Sequence, residues 1–99
     1  MNLGTTIQDI RKQKGISQKA FAELCNLSQT YLSQIENNQK EPAISTLKEI
    51  ALRLKIPLPI LFFLSLDEKD IPKSKRNAFN IIDPTVKILM HEFIENENN

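Results

Sequence analysis

The stretch that most constrains the fold is residues 18–37, which predicts two short helices joined by a tight turn. Ser17 and Ser28 each stand immediately before one of these helices. A serine hydroxyl in that position accepts a hydrogen bond from a free amide of the first turn. Asn26 lies between the helices, and asparagine tolerates the left-handed backbone conformation better than most residues. The stretch therefore predicts a helix, a turn and a second helix at residues 28–37.

The second of these helices has one apolar side and one uncharged polar side. At about 100° per residue, Leu32 and Ile35 fall on the apolar side. The opposite arc carries Gln29, Thr30, Ser33, Gln34 and Asn37. An ordinary solvated face usually carries Lys and Glu, whereas amides and hydroxyls hydrogen-bond to base edges and to phosphate oxygens. We interpret the arc as a candidate DNA contact surface, with a plain polar surface as the alternative.

Apolar residues at helical spacing predict four further helices. They are expected at about residues 3–14, 46–54, 59–64 and 85–95. Gly15 follows the first of them as a left-handed C-cap, and Ser45 is expected to cap the helix that starts at residue 46. Asp83 and Pro84 indicate the start of the last helix, because proline is favoured in a first turn. Strand-like alternation is absent from the sequence, so we predict an all-α protein.

The chain is expected to have three parts. Residues 1–66 form an N-terminal helical domain, and residues 67–82 form a charged linker that contains Pro72. Residues 83–99 form a C-terminal helix. The ninety-nine residues suffice for a small core but are too few for a deep cleft between two domains.

Composition argues against several classes of protein. The single cysteine cannot form an internal disulfide, and no Cys/His cluster has metal-ligand spacing, so no cofactor is expected. We expect Cys25 to be an inert buried thiol. No nucleophile or paired-carboxylate arrangement can be argued, so we do not expect an enzyme. The sequence lacks a signal-like start and an apolar run of the ~20 residues that a membrane span needs, and we expect a soluble cytoplasmic protein without membrane contact.

The net charge of +1 is unevenly distributed. Residues 1–40 carry five basic and three acidic residues, which gives 5 − 3 = +2. Residues 77–99 carry one basic and four acidic residues, which gives 1 − 4 = −3. One copy therefore offers only a weak electrostatic attraction for DNA.

Residues 18–35 resemble the helix-turn-helix of the phage repressor and Cro-like family, often called the Xre family. The resemblance is carried by Gln18, Ala22, Asn26, Leu32 and Ile35, together with the lead-in at residues 15–18 and the closing residues 35–37. It extends over about residues 3–64 and implies a five-helix, lambda-repressor-like DNA-binding domain. The family usually has glycine in the turn and after the recognition helix, where this chain has Asn26 and Asn38. Both can be left-handed, at a cost of about 1 kcal/mol each.

The resemblance also implies roles for the polar residues. Gln29, Thr30 and Gln34 are expected to contact base edges, with Ser33 near a thymine methyl group or a water. The candidate DNA-binding residues are Gln18, Ser28, Gln29, Thr30, Tyr31, Ser33, Gln34, Asn37 and Lys40. Gln18 is expected at a phosphate, and Tyr31 either contacts a phosphate or packs on the preceding helix. In the family, an acid matching Glu36 pairs with a basic residue of the first helix, here Arg11.

The last predicted helix has an apolar face whose role is open. Its members are Val86, Leu89, Met90, Phe93 and Ile94. The face either packs on its own domain near Phe62 and Phe63 or forms a homodimer, and we favour the homodimer. Two copies on a two-fold axis read a palindromic operator with half-sites about one helical turn apart.

The sequence therefore predicts a transcriptional regulator with double-stranded DNA as its partner. Repression is favoured over activation, since no separate effector domain is evident. The alternative is an antitoxin-like or phage-encoded protein-interaction module. In that alternative the last helix and the Phe62 and Phe63 region bind a partner protein, either a toxin or a phage factor. The modest charge and the acidic tail favour this second interpretation.

Overall fold

Six α-helices follow one another through residues 1–95, the part of the chain that the computed structural model describes. They are α1 (Leu3–Gln13), α2 (Gln18–Leu24), α3 (Gln29–Glu36), α4 (Ile44–Leu54), α5 (Leu58–Ser65) and α6 (Arg76–Glu95). Two short 3₁₀ helices, Glu68–Asp70 and Lys73–Lys75, join α5 to α6. These residues contain no strand, which confirms the predicted all-α fold. Over the same residues, no helix has the length and apolar character that crossing a membrane requires.

The first five helices share one apolar core, and each contributes to it. Its most deeply buried side chains are Ile7, Phe21, Leu32, Ile35, Ile50, Leu54 and Leu61. Helix α1 packs on both α3 and α5, α2 packs on α3, and α4 packs on α5. Burying one such side chain stabilises the fold by about 1.5–3 kcal/mol. The apolar side of α3 is therefore fixed in the core, and its polar side is held outward.

Left-handed residues end several of the helices. Gly15 has a φ of 72°, and Asn26 and Asn38 have φ values of 58° and 59°. These values confirm the left-handed conformation predicted at the three positions. Lys55, at the end of α4, also has a positive φ of 62°, which the sequence did not indicate. The reversal at Lys55 lets the next residue, Ile56, enter the core, where it is buried.

The start of α4 differs from the prediction. The sequence predicts Ser45 as the N-cap, but Ala43 occupies that position and Ser45 lies in the first helical turn. Ala43 has extended backbone angles and no side chain that could cap the helix. Pro42, immediately before it, is buried. We attribute the earlier start to the anchoring of Pro42 in the fold, which a cap preference alone does not indicate.

Helix α1 approaches the end of α3 at Gly4. A Cβ atom at this position would overlap the carbonyl oxygen of Ile35. The side chain of Asn38 closes the same contact, because its Oδ1 accepts from the Gly4 amide at 3.1 Å and its Nδ2 donates to the Thr5 hydroxyl at 3.2 Å. Asn38 thus satisfies a free amide in the first turn of α1.

Helix α6 begins at Arg76, nine residues before the predicted start at residue 85. The prediction places Pro84 in a first turn, but Pro84 lies inside the helix. Proline has the φ of a helix, but it lacks the N–H that would reach the carbonyl of Asn80 and its ring crowds that carbonyl, so it weakens or kinks a helix without always ending it. An ion pair of 3.3 Å between Asp83 and Lys87 spans this site. Residues 76–82 of the predicted linker are therefore helical, and the division into domains stays a prediction.

Candidate nucleic-acid interface

Two serine caps fix where α2 and α3 begin. The Ser17 hydroxyl accepts from the Ala20 amide at 3.1 Å, and the Ser28 hydroxyl accepts from the Tyr31 amide at 3.0 Å. Between the helices, the left-handed Asn26 turns the chain, and the Leu27 amide donates back to the carbonyl of Ala22 at 2.9 Å. These local bonds fix the conformation of the turn that joins α2 to α3.

The polar side of α3 borders an open groove on the protein surface, which we call the α3 groove. It is lined by Gln18, Gln29, Thr30, Ser33, Gln34 and Gln39. Five of these six residues are predicted contact residues, and Gln39 follows the helix. The groove carries amides and hydroxyls and has no charged residue in its lining, so it offers hydrogen-bond donors and acceptors without a fixed charge.

A chain of hydrogen bonds runs from the core to this groove. Arg11 donates through Nε to Glu36 Oε2 at 2.7 Å and through Nη2 to Glu36 Oε1 at 3.0 Å. Gln18 Nε2 donates to the same Glu36 Oε1 at 3.0 Å. Gln29 Nε2 in turn donates to Gln18 Oε1 at 3.2 Å. A buried carboxylate therefore orients an amide on α2, which orients an amide at the start of α3.

The structure contains the pair of Arg11 and Glu36, and both side chains are buried. Their side chains are 6% and 0% exposed. Arg11 also donates through Nη1 to the carbonyl of Ile16 at 2.8 Å. The guanidinium pairs with the carboxylate inside the protein, and Glu36 is not part of the lining of the α3 groove.

Gln18 has a role that the sequence did not indicate. The family resemblance places it at a phosphate, but both ends of its amide already bond to Glu36 and Gln29. The one signal that could have found this role is the buried acid at position 36, whose two oxygens need more partners than one arginine usually supplies. A glutamine at the start of the neighbouring helix is long enough to reach it.

The remaining predicted contact residues are not part of the lining of the α3 groove. Asn37 is exposed and donates to the Ser33 hydroxyl at 3.3 Å. Lys40 is exposed, and its amide donates to the carbonyl of Gln34 at 3.2 Å. Tyr31 is half-buried against the core, so its ring packs on the protein whatever its hydroxyl contacts. Ser28 is exposed, although its hydroxyl is used as the cap.

Cys25 has surroundings that disfavour its thiolate form. Cys25 is 4% exposed at the end of α2. Burial, and secondarily the nearby Glu49 carboxylate, raises the pKa of its thiol to about 11. Within residues 1–95, no group of three or more His, Cys, Asp or Glu side chains is placed to hold a metal ion.

The predicted dimerisation residues of α6 are divided between its two sides. Ile94 is buried in the chain's own core, in a cleft that Ile10 and Leu64 also line. Val86 and Met90 are half-buried, whereas Leu89 is exposed. The side chain of Phe93 lies outside the described part of the structure. One side of α6 therefore packs on its own domain, and the exposed apolar surface consists largely of residues that were not predicted.

Comparisons with known proteins agree with this architecture. The sequence profile of the helix-turn-helix family matches residues 7–61. The ImmF control region 10 kDa protein of Bacillus phage phi105 is 41% identical over 59 residues, which cover 60% of this chain and 66% of that protein. The immunity repressor protein of the same phage is 34% identical over an alignment of 85 positions, covering 74% of this chain and 59% of that protein.

A bacterial regulator is similar over almost the whole chain. The HTH-type transcriptional regulator PuuR of Escherichia coli (strain K12) is 30% identical over 95 residues, or 96% of this chain and 51% of that protein. The chain thus spans between 51% and 66% of the length of these three relatives.

Proposed function

This chain belongs to the helix-turn-helix family of phage repressor and Cro-like proteins, and from that membership we propose that it is a DNA-binding transcriptional regulator. It reads a palindromic operator through α3 and acts as a repressor. The similarity to an immunity repressor supports repression over activation, since that protein is named for repression.

The α3 groove is the single observation that carries this proposal. A solvated surface has no need of four uncharged polar side chains gathered on one side of a short helix, with two further glutamines beside them. Major-groove base edges present paired donors and acceptors, and a glutamine amide matches adenine N6 and N7 in that arrangement. Gln29, Thr30 and Gln34 supply the base contacts, while Ser28, Asn37 and Lys40 set the register on phosphates.

The role of Gln18 in this proposal is indirect. Its amide oxygen holds Gln29 Nε2 at 3.2 Å. Gln29 is then left with its own amide oxygen and one further N–H to offer to a base. Gln18 thus supports DNA reading by presenting Gln29 in one orientation. The second N–H of the Gln18 amide faces the phosphate backbone.

A palindromic operator follows from the weak charge and the short helix. One copy carries a net charge of +1, so phosphate attraction alone gives little affinity. Helix α3 has eight residues and three proposed base-reading side chains. Two copies on a two-fold axis present twice as many such side chains and read two half-sites.

A second candidate function is favoured by one specific surface. Leu58, Pro59, Phe62, Phe63 and Leu66 line an apolar depression on α5. This surface supports the antitoxin-like or phage-encoded interaction module, in which the same fold binds a toxin or a phage factor. It is the weaker candidate, because it leaves the α3 groove without a role.

Selection from random duplex DNA tests the main proposal. The protein is expected to enrich an inverted repeat. A variant with both Gln29→Ala and Gln34→Ala is expected to bind that repeat more weakly, by about 1–3 kcal/mol for each bidentate pair of hydrogen bonds to a base that it removes. Gln13→Ala, which removes an exposed amide from α1, is the matched control and should bind as the parent protein does. Failure to enrich any sequence refutes the proposal and favours the interaction module.

A further inference from the structure

One side of α6 carries a stripe of large apolar residues that nothing in the described part of the chain covers. Ile81, Ile82, Ile88 and Leu89 are 69%, 53%, 70% and 60% exposed, and we call them the α6 stripe. At about 100° per residue they lie within one third of the helix circumference, together with Thr85. Isolated exposed apolar residues are ordinary, but four on one helical face form a patch of the kind that marks an interaction surface.

The domain itself cannot cover this stripe, because α6 already packs through its other side. Ile94 is buried in the core, and Phe79, Val86 and Met90 are half-buried. Rotating the helix to bury the stripe would expose Ile94. The described part of the chain therefore offers no surface that covers the stripe.

The spacing of the stripe is symmetric about Thr85. Ile82 and Ile88 stand three residues before and after Thr85, and Ile81 and Leu89 stand four residues before and after it. When two copies of a helix pair in antiparallel fashion about a two-fold axis at Thr85, Ile82 meets Ile88 of the partner subunit and Ile81 meets Leu89 of the partner subunit. A two-fold interface uses the same patch on both copies, and such a patch must be self-complementary.

Charge selects the antiparallel arrangement. Lys73 and Lys75 are exposed in the 3₁₀ helix that immediately precedes α6. Residues 92–95, which form the last turn of α6, include two glutamates and no basic residue. An antiparallel pair brings the basic end of one helix to the acidic end of the other, whereas a parallel pair brings like charges together. The opposed helix dipoles add to the same preference.

We propose that a second copy of this chain covers the α6 stripe, in an antiparallel α6–α6 contact centred on Thr85. This surface differs from the predicted dimerisation face, with which it shares only Leu89. The use of the dimer in reading two half-sites rests on the proposed function, but its existence does not. With one helix from each copy the interface is at the small end of stable interfaces, so the dimer is expected to dissociate at micromolar concentration.

A charge exchange tests both the surface and its direction. Ile82→Lys and Ile88→Glu each place two charges in the apolar contact of the homodimer, so each variant alone should sediment as a monomer where the parent protein is a dimer. Mixed in equal amounts, the two variants should form a heterodimer. In the antiparallel contact, one pair of facing positions then carries Lys and Glu, and the other keeps both isoleucines.

The outcomes separate the alternatives. Asn80→Lys, on a different side of α6, is the matched control and should leave the parent dimer unchanged. A parent protein that stays monomeric at all concentrations up to about 100 µM, or variants that stay dimeric, overturns the proposal. Variants that are monomeric alone and fail to form the heterodimer overturn the antiparallel register. A dimer that enriches no DNA sequence refutes the proposed function alone, and a monomer that enriches one refutes this proposal alone.

Discussion

Arg11 holds Glu36 by two hydrogen bonds of 2.7 and 3.0 Å, one to each carboxylate oxygen, and so joins α1 to the last residue of α3. The two side chains are 6% and 0% exposed. Burying a charge pair costs much of what the attraction returns, so the pair is not a large source of net stability. Its main effect is on orientation, because the planar guanidinium fixes both oxygens of the carboxylate.

We expect Glu36→Gln to lower the free energy of unfolding by about 3–5 kcal/mol, because it leaves the buried guanidinium without its counter-charge. The matched control is Glu49→Gln. Glu49 pairs with Arg53 at 2.8 Å, but those side chains are 37% and 45% exposed. The control should cost about 0–1 kcal/mol. Urea unfolding measures both values, and equal losses for the two variants would contradict the structural role of the Arg11 pair.

Substitution by glycine should change the stability differently at the two left-handed asparagines. Asn26→Gly removes the backbone strain and is expected to stabilise the protein by up to about 1 kcal/mol. Asn38→Gly removes the same strain but also loses the bonds to the Gly4 amide and the Thr5 hydroxyl. Each such bond contributes about 0.5–1.5 kcal/mol. Thermal and urea unfolding should therefore rank Asn26→Gly above Asn38→Gly, and the reverse order would show that the Asn38 side chain contributes nothing.

Two glycine-to-alanine changes separate steric overlap from backbone strain. Gly4→Ala places a methyl group against the backbone oxygen of Ile35, so α1 and α3 must move apart. We expect a loss of about 1–3 kcal/mol, as for overpacking in a core. A methyl group at Gly15 meets no atom within 4 Å, so only the φ of +72° at this position disfavours alanine. Gly15→Ala should cost about 1 kcal/mol. Unfolding measurements on the two variants check this, and DNA binding by Gly4→Ala reports whether the α1–α3 distance matters for α3.

The Cys25 thiol should react with Ellman's reagent only through unfolding. Its pKa is raised from 9.0 to about 11, chiefly by burial. A shift of this size lowers the thiolate fraction near pH 8 about 100-fold compared with the unfolded chain. The rate in native buffer should therefore fall at least that far below the rate in urea. A native rate within about tenfold of the unfolded rate would refute the buried thiol.

The raised pKa of Cys25 also predicts how the stability of the protein changes with pH. Below pH 9.0 both the folded and the unfolded thiol are protonated, so Cys25 does not change the stability. Between pH 9.0 and about 11 the unfolded chain loses its proton first, which favours unfolding. Stability should fall across this range when urea unfolding is repeated at increasing pH, and Cys25→Ser should reduce that fall.

The five-helix core was predictable because its signals are local. Serine caps, apolar residues at helical spacing and a left-handed residue after a helix each act within about one turn of the chain. The start of α6 was not predictable in this way. Pro84 is compatible with both a first turn and a helix interior, and the choice depends on how Ile94 and the half-buried residues of α6 pack on α1. That packing is a tertiary effect.

The polar arc of α3 was predictable for a similar reason, whereas its internal bonds were not. Helical spacing alone brings Gln29, Ser33 and Gln34 to one side of the helix. The bond of Gln18 to Glu36 joins residues on different helices, and an amide offers the same groups to a protein partner and to a phosphate. Only the position of the buried carboxylate decides between them.

The bonds from Arg11 through Glu36 and Gln18 to Gln29 limit how this protein can be re-engineered. Helix α3 is not an interchangeable part, because its first and last residues are both tied to groups on other helices. A recognition helix transplanted onto this scaffold has to bring an acid at position 36 for Arg11. It also needs a residue at 29 that Gln18 can hold, or a new residue at 18. Libraries that vary α3 alone would therefore sample mostly side chains that the neighbouring helices do not support.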